Sequence, residues 1–359
     1  MKDSNKEKYL GDIVHSSGKI RHTIEERKDK GFAIVAEIIA ILDDIPLGRY
    51  KMEIGLKLRQ AMLLNGILFN SEAWHDVKEK EVKMLESVDE HLLRSLVAAH
   101  SKTPLEFLYL ETGAVPIRYI ISSRRMIYLH TILRREDNEL IKRIYKAQVE
   151  NPVPGDLSEL LKADYEMIEE AIDEIAIVNT SVSSYKKFIK SKVKNAALRH
   201  LNQLKESHSK VKHIEYKGLE TQPYLTSPLF TNDDVSLLFS LRSRYVECKA
   251  NFKNKHSDIL CPFCMTDEDS QQHMLECQTL KPLLKSRKVA EENIEYDDLF
   301  RDSKKQKAIT YLFKHILEAR NKLKEESQLN QPDPCTTTAE VLESSIDLCS
   351  CIDIHSSVK

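Results

Sequence analysis

The sequence predicts a mainly α-helical protein with one small metal-bound module near its C-terminal side. Three observations carry this. Only nine glycines occur among 359 residues. Long stretches are rich in Leu, Ile, Lys and Glu, whose apolar members recur at helical intervals. One cluster, Cys261-Pro262-Phe263-Cys264 followed by His273 and Cys277, has the spacing of a metal site.

Strand signals are scarce. Tyr9 to Ile13 reads as a short strand or hairpin closed by the Ser16-Ser17-Gly18 turn, before a helix from about Ile20 to Leu42 that ends ahead of Pro46. A second helix is expected from Arg49 to Phe69. Its apolar positions Ile54, Leu58, Met62 and Ile67 are interrupted by Lys51, Lys57 and Arg59. From Val77 to Ala99, the stripe Val82, Leu85, Val88, Leu92, Leu93 and Leu96 reads as core.

Thr103 then suits an N-cap, with Pro104 in a first turn where its missing N–H costs nothing. Gly113 should end that helix. Pro116 should open the next, whose face mixes Ile120, Ile127 and Leu133 with Arg118, Arg124, Arg125, Arg134 and Arg135. Asn151-Pro152-Val153-Pro154-Gly155 is the clearest linker and marks a domain boundary. Helical patterns follow over Leu157 to Ile177, Ser181 to Ser207 and Asp233 to Lys249, with an irregular segment at Tyr216 to Thr231. In the last of these helices Val235, Leu238, Phe239 and Arg242 are spaced to pack on the metal module. A closing helix is expected over Asp298 to Glu325. Beyond Gln328 the chain is rich in Pro, Thr and Ser and reads as disordered.

The spacing C-x2-C-x8-H-x3-C offers three thiolates and one imidazole, the donor set of a closed tetrahedral zinc site. Pro262 suits the tight turn that brings Cys261 and Cys264 onto one ion, and Thr266 to Gln272 suits a polar loop. His273 and Cys277 stand four residues apart, so one helical turn points both the same way. Filling all four positions with protein leaves none for a reactive water, which favours structural over catalytic zinc. The competing reading is free cysteines buried as small apolar residues. Cys248, Cys335, Cys349 and Cys351 remain outside the quartet and form no sensible disulfide scheme, so reduced thiols are expected.

A hydrophobic content of 41% with 31% charged residues is ordinary for a soluble chain. No run of about 18 apolar residues reads as a membrane span. Met1 to Lys8 lacks the apolar core of a secretory signal, so an intracellular location, nuclear or cytoplasmic, is expected. The formal net charge of −2 hides an asymmetry. Between Ser181 and Lys217 stand nine Lys and one Arg against Glu206 and Glu215, a local net of +8. Acidic residues concentrate instead at Asp156 to Glu174 and Asp267 to Glu276.

The order of several short motifs resembles the C-terminal region of non-LTR (LINE-type) retrotransposon reverse transcriptases. The residues that carry it are Leu241-Arg242-Ser243-Arg244, Asn251-Phe252, the four metal ligands, Tyr296-Asp297-Asp298-Leu299-Phe300 and Arg320. Upstream, Lys8-Tyr9-Leu10-Gly11 is similar to the segment after the polymerase palm, and Phe69-Asn70-Ser71-Glu72-Ala73-Trp74 to the family's Tyr-Gly-x-Glu-x-Trp at the thumb end. Thr103-Pro104 through Glu111, Gly113, Pro116, Arg124-Arg125, Tyr128 and His130 are similar too. The likeness spans most of residues 8 to 320, with Phe69 and Asn70 departing from the thumb motif.

The resemblance implies an end of palm and thumb-like helical bundle over 1–76 and a helical connector over 77–150. A basic helical domain follows over 151–250, then a CCHC zinc module with closing helix over 251–325 and a disordered tail over 326–359. The family's Tyr-x-Asp-Asp signature belongs before Lys8, and no nuclease motif follows Cys277, so no catalytic residues are expected. Tyr296-Asp297-Asp298 is better explained as an acidic helix N-terminus. A Cys351–His355 nucleophile pair would lie in the tail, where nothing orients a base.

The expected partner is RNA or an RNA–DNA duplex, with no membrane. Phosphates would be neutralised by Lys51, Lys57 and Arg59 of the thumb helix, by Lys186, Lys187, Lys190, Lys192 and Lys194 of the basic helix, and by Arg242 and Arg244 beside the zinc. The bland account of the lysines is a solvated helix face. The alternative function is a helical protein-interaction module stabilised by zinc and derived from a retroelement.

Overall fold

The computed structural model describes residues 5–9, 11–44, 50–282, 294–300 and 303–329. It divides into two units, Met1–Leu312 and Phe313–Lys359. The mainly α class holds: among the described residues, two short strands accompany a long succession of helices.

The chain enters as a hairpin of β1 (Lys6–Tyr9) and β2 (Asp12–His15), antiparallel with Tyr9 opposite Asp12. The reversal therefore falls at Gly11 and not at Ser16–Gly18; Leu10 lies outside the described residues. Gly11 has φ +89°, a conformation that costs glycine no Cβ clash. Arg27 secures the turn by donating from Nη2 to the Gly11 carbonyl at 2.6 Å.

Arg27 belongs to α1 (Arg21–Asp44), which buries Ile24, Val35, Ile38 and Leu42. Its main neighbour is α4 (Glu79–Val97). Pro46, expected to follow α1, lies outside the described residues.

Between them the expected single helix is divided into α2 (Lys51–Leu58), a π-helical segment at Arg59–Leu64 and α3 (Asn65–Ile67). The wider π turn shifts the helical register. Within it Arg59 is buried and grips Asp89 of α4 with both arms of its guanidinium, at 2.6 and 2.7 Å. On α4 the expected stripe Leu85, Val88, Leu92, Leu93 and Leu96 is buried and Val82 is half-buried.

The next helix, α5 (Leu105–Thr112), begins one residue later than expected, with Pro104 as its N-cap. Pro104 is extended at ψ 138°, so Thr103 stands too far back for its hydroxyl to reach the first-turn N–H groups. That hydroxyl is buried without a hydrogen bond. Gly113 ends α5 as expected, at φ +68° with its N–H on the Tyr109 carbonyl, and Pro116 leads into α6 (Ile117–Leu133).

After α6 come α7 (Leu140–Glu150), α8 (Leu157–Met167), α9 (Glu174–Asn179) and α10 (Val182–Lys205). The Asn151–Gly155 turn, expected as a domain boundary, lies inside the first unit, where the Gly155 carbonyl accepts from the Asp76 N–H at 2.9 Å. Arg125 of α6 holds α8 by a forked pair to Asp164 at 2.7 and 2.8 Å. The pattern over Leu157 to Ile177 breaks after α8, where Glu169 takes φ +59°. Ser181 caps α10 through the Ser184 N–H at 3.2 Å.

A one-turn α11 (Pro223–Thr226) precedes α12 (Asn232–Arg242), which stops short of the expected Lys249. Arg244 adopts φ +55° and turns the chain toward the cysteines. There α13 (Gln271–Glu276) follows, then a 3₁₀ turn at Tyr296–Phe300 and α14 (Ser303–Leu329). The tail expected over 326–359 begins inside α14, and residues 330–359, with Cys335, Cys349, Cys351 and His355, lie outside the described residues.

Candidate metal centre and basic surface

The four expected ligands converge. One donor atom from each of Cys261, Cys264, His273 and Cys277 lies within 4.8 Å of all the others. A tetrahedral ion with metal–sulfur bonds of ~2.3 Å holds its sulfurs ~3.8 Å apart, so this cluster needs only a small contraction to close on one ion. The donor chemistry fits a structural zinc.

Local backbone explains the convergence. Leu260 and Glu268 form an isolated antiparallel bridge, so the Cys261–Asp267 segment is a closed loop. Inside it the Met265 N–H donates to the Cys261 carbonyl at 2.9 Å, and Met265 takes φ +57° to complete the turn. The other pair stands on α13. Ser270 caps that helix by accepting from the His273 N–H at 3.1 Å. One turn later the Cys277 N–H meets the His273 carbonyl at 2.7 Å, placing both ligands on one side.

The imidazole is oriented for ligation. Nε2 of His273 lies 3.3 Å from the Cys264 sulfur, while Nδ1 faces the Asp267 carboxylate at 4.0 Å. Around Cys264, the Thr266 hydroxyl donates to the sulfur at 3.2 Å, and this bond with the amides of Thr266 and Asp267 pulls the thiol down to about 6. Burial pushes the Cys261 thiol up to about 11.

The module is anchored by groups that sequence patterns do not mark. Asp269 is wholly buried and accepts from the Lys249 N–H at 2.7 Å. Gln271 donates from its side chain to the Leu241 carbonyl at 3.0 Å, tying α13 to α12. Lys210 places its ammonium 3.9 Å from the Tyr245 ring centroid and 4.7 Å from that of Phe252, and donates to the Asn251 carbonyl at 2.8 Å. These partners come from distant parts of the chain, so no local spacing announces them. Cys248 is buried outside the quartet.

The expected phosphate-binding residues separate into three groups. Arg59 and Arg242 are buried and do not belong to the surface: Arg59 pairs with Asp89, and Arg242 pairs with Glu111 at 2.8 Å. A guanidinium in such a fork already has its anion. Lys51 and Lys57 are held by Asp43 at 3.2 Å and Glu53 at 2.6 Å. On α10, Lys192 pairs with Glu170 and Lys194 stands 3.8 Å from Glu220. Lys186, Lys187 and Lys190 are exposed and have no ionic partner among the described residues. Arg244 is half-buried beside the metal module.

Asp298, of the Tyr296-Asp297-Asp298 run, is buried and receives the Lys305 ammonium at 3.0 Å, an ion pair rather than a metal site. No described helix is long and apolar enough to cross a membrane. Comparison with protein-family models, curated proteins and solved structures returns no match for this chain.

Proposed function

We propose that this chain is a zinc-stabilised helical module that binds RNA or an RNA–DNA duplex through phosphate contacts along α10. One observation carries the reading. Over its 24 residues α10 carries seven Lys and Arg and not one Asp or Glu. Lys186, Lys187 and Lys190 are exposed without an ionic partner among the described residues, while Lys192, Lys194, Arg199 and the buried Lys205 face Glu170, Glu220, Glu169 and Glu206 outside the helix. A solvated helix face ordinarily mixes both signs, whereas a phosphate-binding face gains by excluding carboxylates. Arg244 adds a cation near the metal module. The resemblance to the C-terminal region of non-LTR reverse transcriptases agrees with this partner.

Zinc is the ion that three thiolates and an imidazole select, and a site closed by four protein ligands stabilises the fold rather than activating water. The reading therefore assigns no catalytic step.

The test is titration of the zinc-loaded protein with structured RNA and with RNA–DNA duplex across a salt series. Removing one lysine that neutralises a phosphate lowers the log–log salt slope by ~0.9. Lys186→Gln, Lys187→Gln and Lys190→Gln together should lower it by roughly three such steps. Absence of salt-sensitive binding by the unaltered protein at low ionic strength would sink the reading.

A helical protein-interaction module is the second reading. Apolar side chains at Leu140 and Ile144 of α7 and Ile175 of α9 stand in water, with Ile175 76% exposed. Such side chains gain by docking a partner protein.

A further inference from the structure

A cleft of about 820 Å³ opens between the π-helical segment, α6 and α10. Its walls differ in chemistry. On α10, Lys186, Lys190 and Lys194 line it at four-residue steps, climbing ~6 Å along one side of the helix at each step. On α6, the half-buried side chains of Ile120, Ile127 and Tyr128 make an apolar and aromatic wall.

Arg124 stands within that second wall. It is half-buried, its guanidinium donates to the Leu68 carbonyl, and among the described residues no carboxylate lies within ion-pair distance of it. Burial lowers its pKa, and the charge of Glu72, which also lines the cleft but lies beyond ion-pair distance, opposes that lowering. The contrast with Arg59, Arg125 and Arg242 is direct, since each of those buried arginines grips a carboxylate. A half-buried cation with no carboxylate in ion-pair contact gains by meeting an anion that enters the cleft.

We propose that this cleft binds a nucleoside polyphosphate, its phosphates on Lys186, Lys190 and Arg124 and its base against Ile127 and Tyr128. The cationic wall by itself suits any polyanion. The apolar wall beside it selects one that also carries a flat, weakly polar group, because such a ring gains by covering an aromatic face. The volume falls within the ~300–1,000 Å³ of small-ligand sites. The π-helical segment flanking the cleft is a device that recurs at functional sites. This assignment does not rest on RNA binding, although the two share Lys186 and Lys190.

Calorimetry on the full, metal-loaded chain at physiological ionic strength tests it, with ATP, inorganic tripolyphosphate and adenosine as separate probes. ATP should bind one to one, ~10-fold or more tighter than either fragment, a difference of ~1.4 kcal/mol. Lys190→Gln should weaken ATP by ~10-fold, the loss expected of one charge-assisted hydrogen bond. Lys187→Gln, exposed on α10 but outside the cleft, should leave it unchanged. Tyr128→Ala should weaken ATP and leave tripolyphosphate unaffected. Equal affinity for ATP and tripolyphosphate, equal losses in Lys187→Gln and Lys190→Gln, or no saturable ATP binding would each overturn the assignment. Because no RNA is present, the result is independent of the RNA titration.

Discussion

Arg242 and Glu111, 131 positions apart in the chain, meet in a buried ion pair: Nη2 donates to Oε1 at 2.8 Å and Nε to Oε2 at 3.0 Å. The Glu111 carboxylate also accepts from the hydroxyls of Tyr216 and of Tyr224, the latter at 2.6 Å. The remaining arm of Arg242 donates to the Leu299 carbonyl at 2.8 Å. One carboxylate thus joins α5 to the segment before α11, to α11 and to α12, and Arg242 extends the link to the 3₁₀ turn ahead of α14.

Removing one partner leaves the other charged and unpaired in a water-free site. Glu111→Gln should therefore cost ~3–5 kcal/mol in denaturant unfolding of the metal-loaded protein. Replacing both partners together, Glu111→Leu with Arg242→Met, should cost less than Glu111→Gln alone, because no orphaned charge remains. A double variant as unstable as the sum of its parts would contradict this account.

The same cluster sets an alkaline limit. Burial, and then the nearby Glu111 charge, hold the Tyr216 and Tyr224 hydroxyls well above the usual tyrosine range. A pKa raised in the folded state gives stability that is fully present below the unfolded value of ~10 and is lost as pH rises past it. Stability measured by denaturant should be flat on the acid side of that value as far as these groups are concerned, and fall above it. Tyr224→Phe should lower stability at neutral pH and make the alkaline decline shallower.

The metal centre makes a regional prediction. Chelation, or Cys261→Ser with Cys264→Ser, should unfold the segment from Leu260 to Leu280 while α1 to α6 stay helical, as read by amide hydrogen exchange. Metal content should fall in that double variant and persist in Cys248→Ser, whose sulfur lies outside the quartet. Metal retention after loss of both Cys261 and Cys264 would remove the assignment. Affinity should also fall as pH drops, because thiolate and neutral imidazole must each take up a proton on release.

Gly113 offers a backbone test. It ends α5 at φ +68°, and an added Cβ would lie 2.3 Å from the Thr221 backbone nitrogen. Backbone cannot swing aside as a side chain can. Gly113→Ala should destabilise by ~2–4 kcal/mol, combining the left-handed penalty with overpacking. A thermal melt of the purified variant checks it.

Legibility in the sequence follows the range of the interaction. The α4 stripe, the end of α5 at Gly113, the start of α6 after Pro116 and the start of α10 near Ser181 depend on neighbours within a turn or two, and these are readable. The quartet is readable for the same reason, since the Cys-x2-Cys loop and the one-turn spacing of His273 and Cys277 are local geometry. The hairpin turn is misplaced by sequence because Ser16-Ser17-Gly18 and Leu10-Gly11 both offer a glycine, and only the grip of Arg27 on Gly11 distinguishes them. The π-helical segment is invisible because nothing in the periodicity of Arg59–Leu64 records that Asp89 waits 30 residues on.

By itself, then, the sequence determined the helical class, several helix ends such as those at Gly113 and Pro116, the four candidate metal ligands and the acid-free character of α10. Only the tertiary structure decided what each arginine is for. Arg59 and Arg242 read as surface cations, yet each is consumed by a buried carboxylate, while Arg124 of α6 stands half-buried with no carboxylate within ion-pair distance among the described residues. Charge is written in the sequence, but a cation's partner is chosen by chain segments far from it, and whether that partner is Glu111, solvent or a ligand depends on packing that no local pattern encodes.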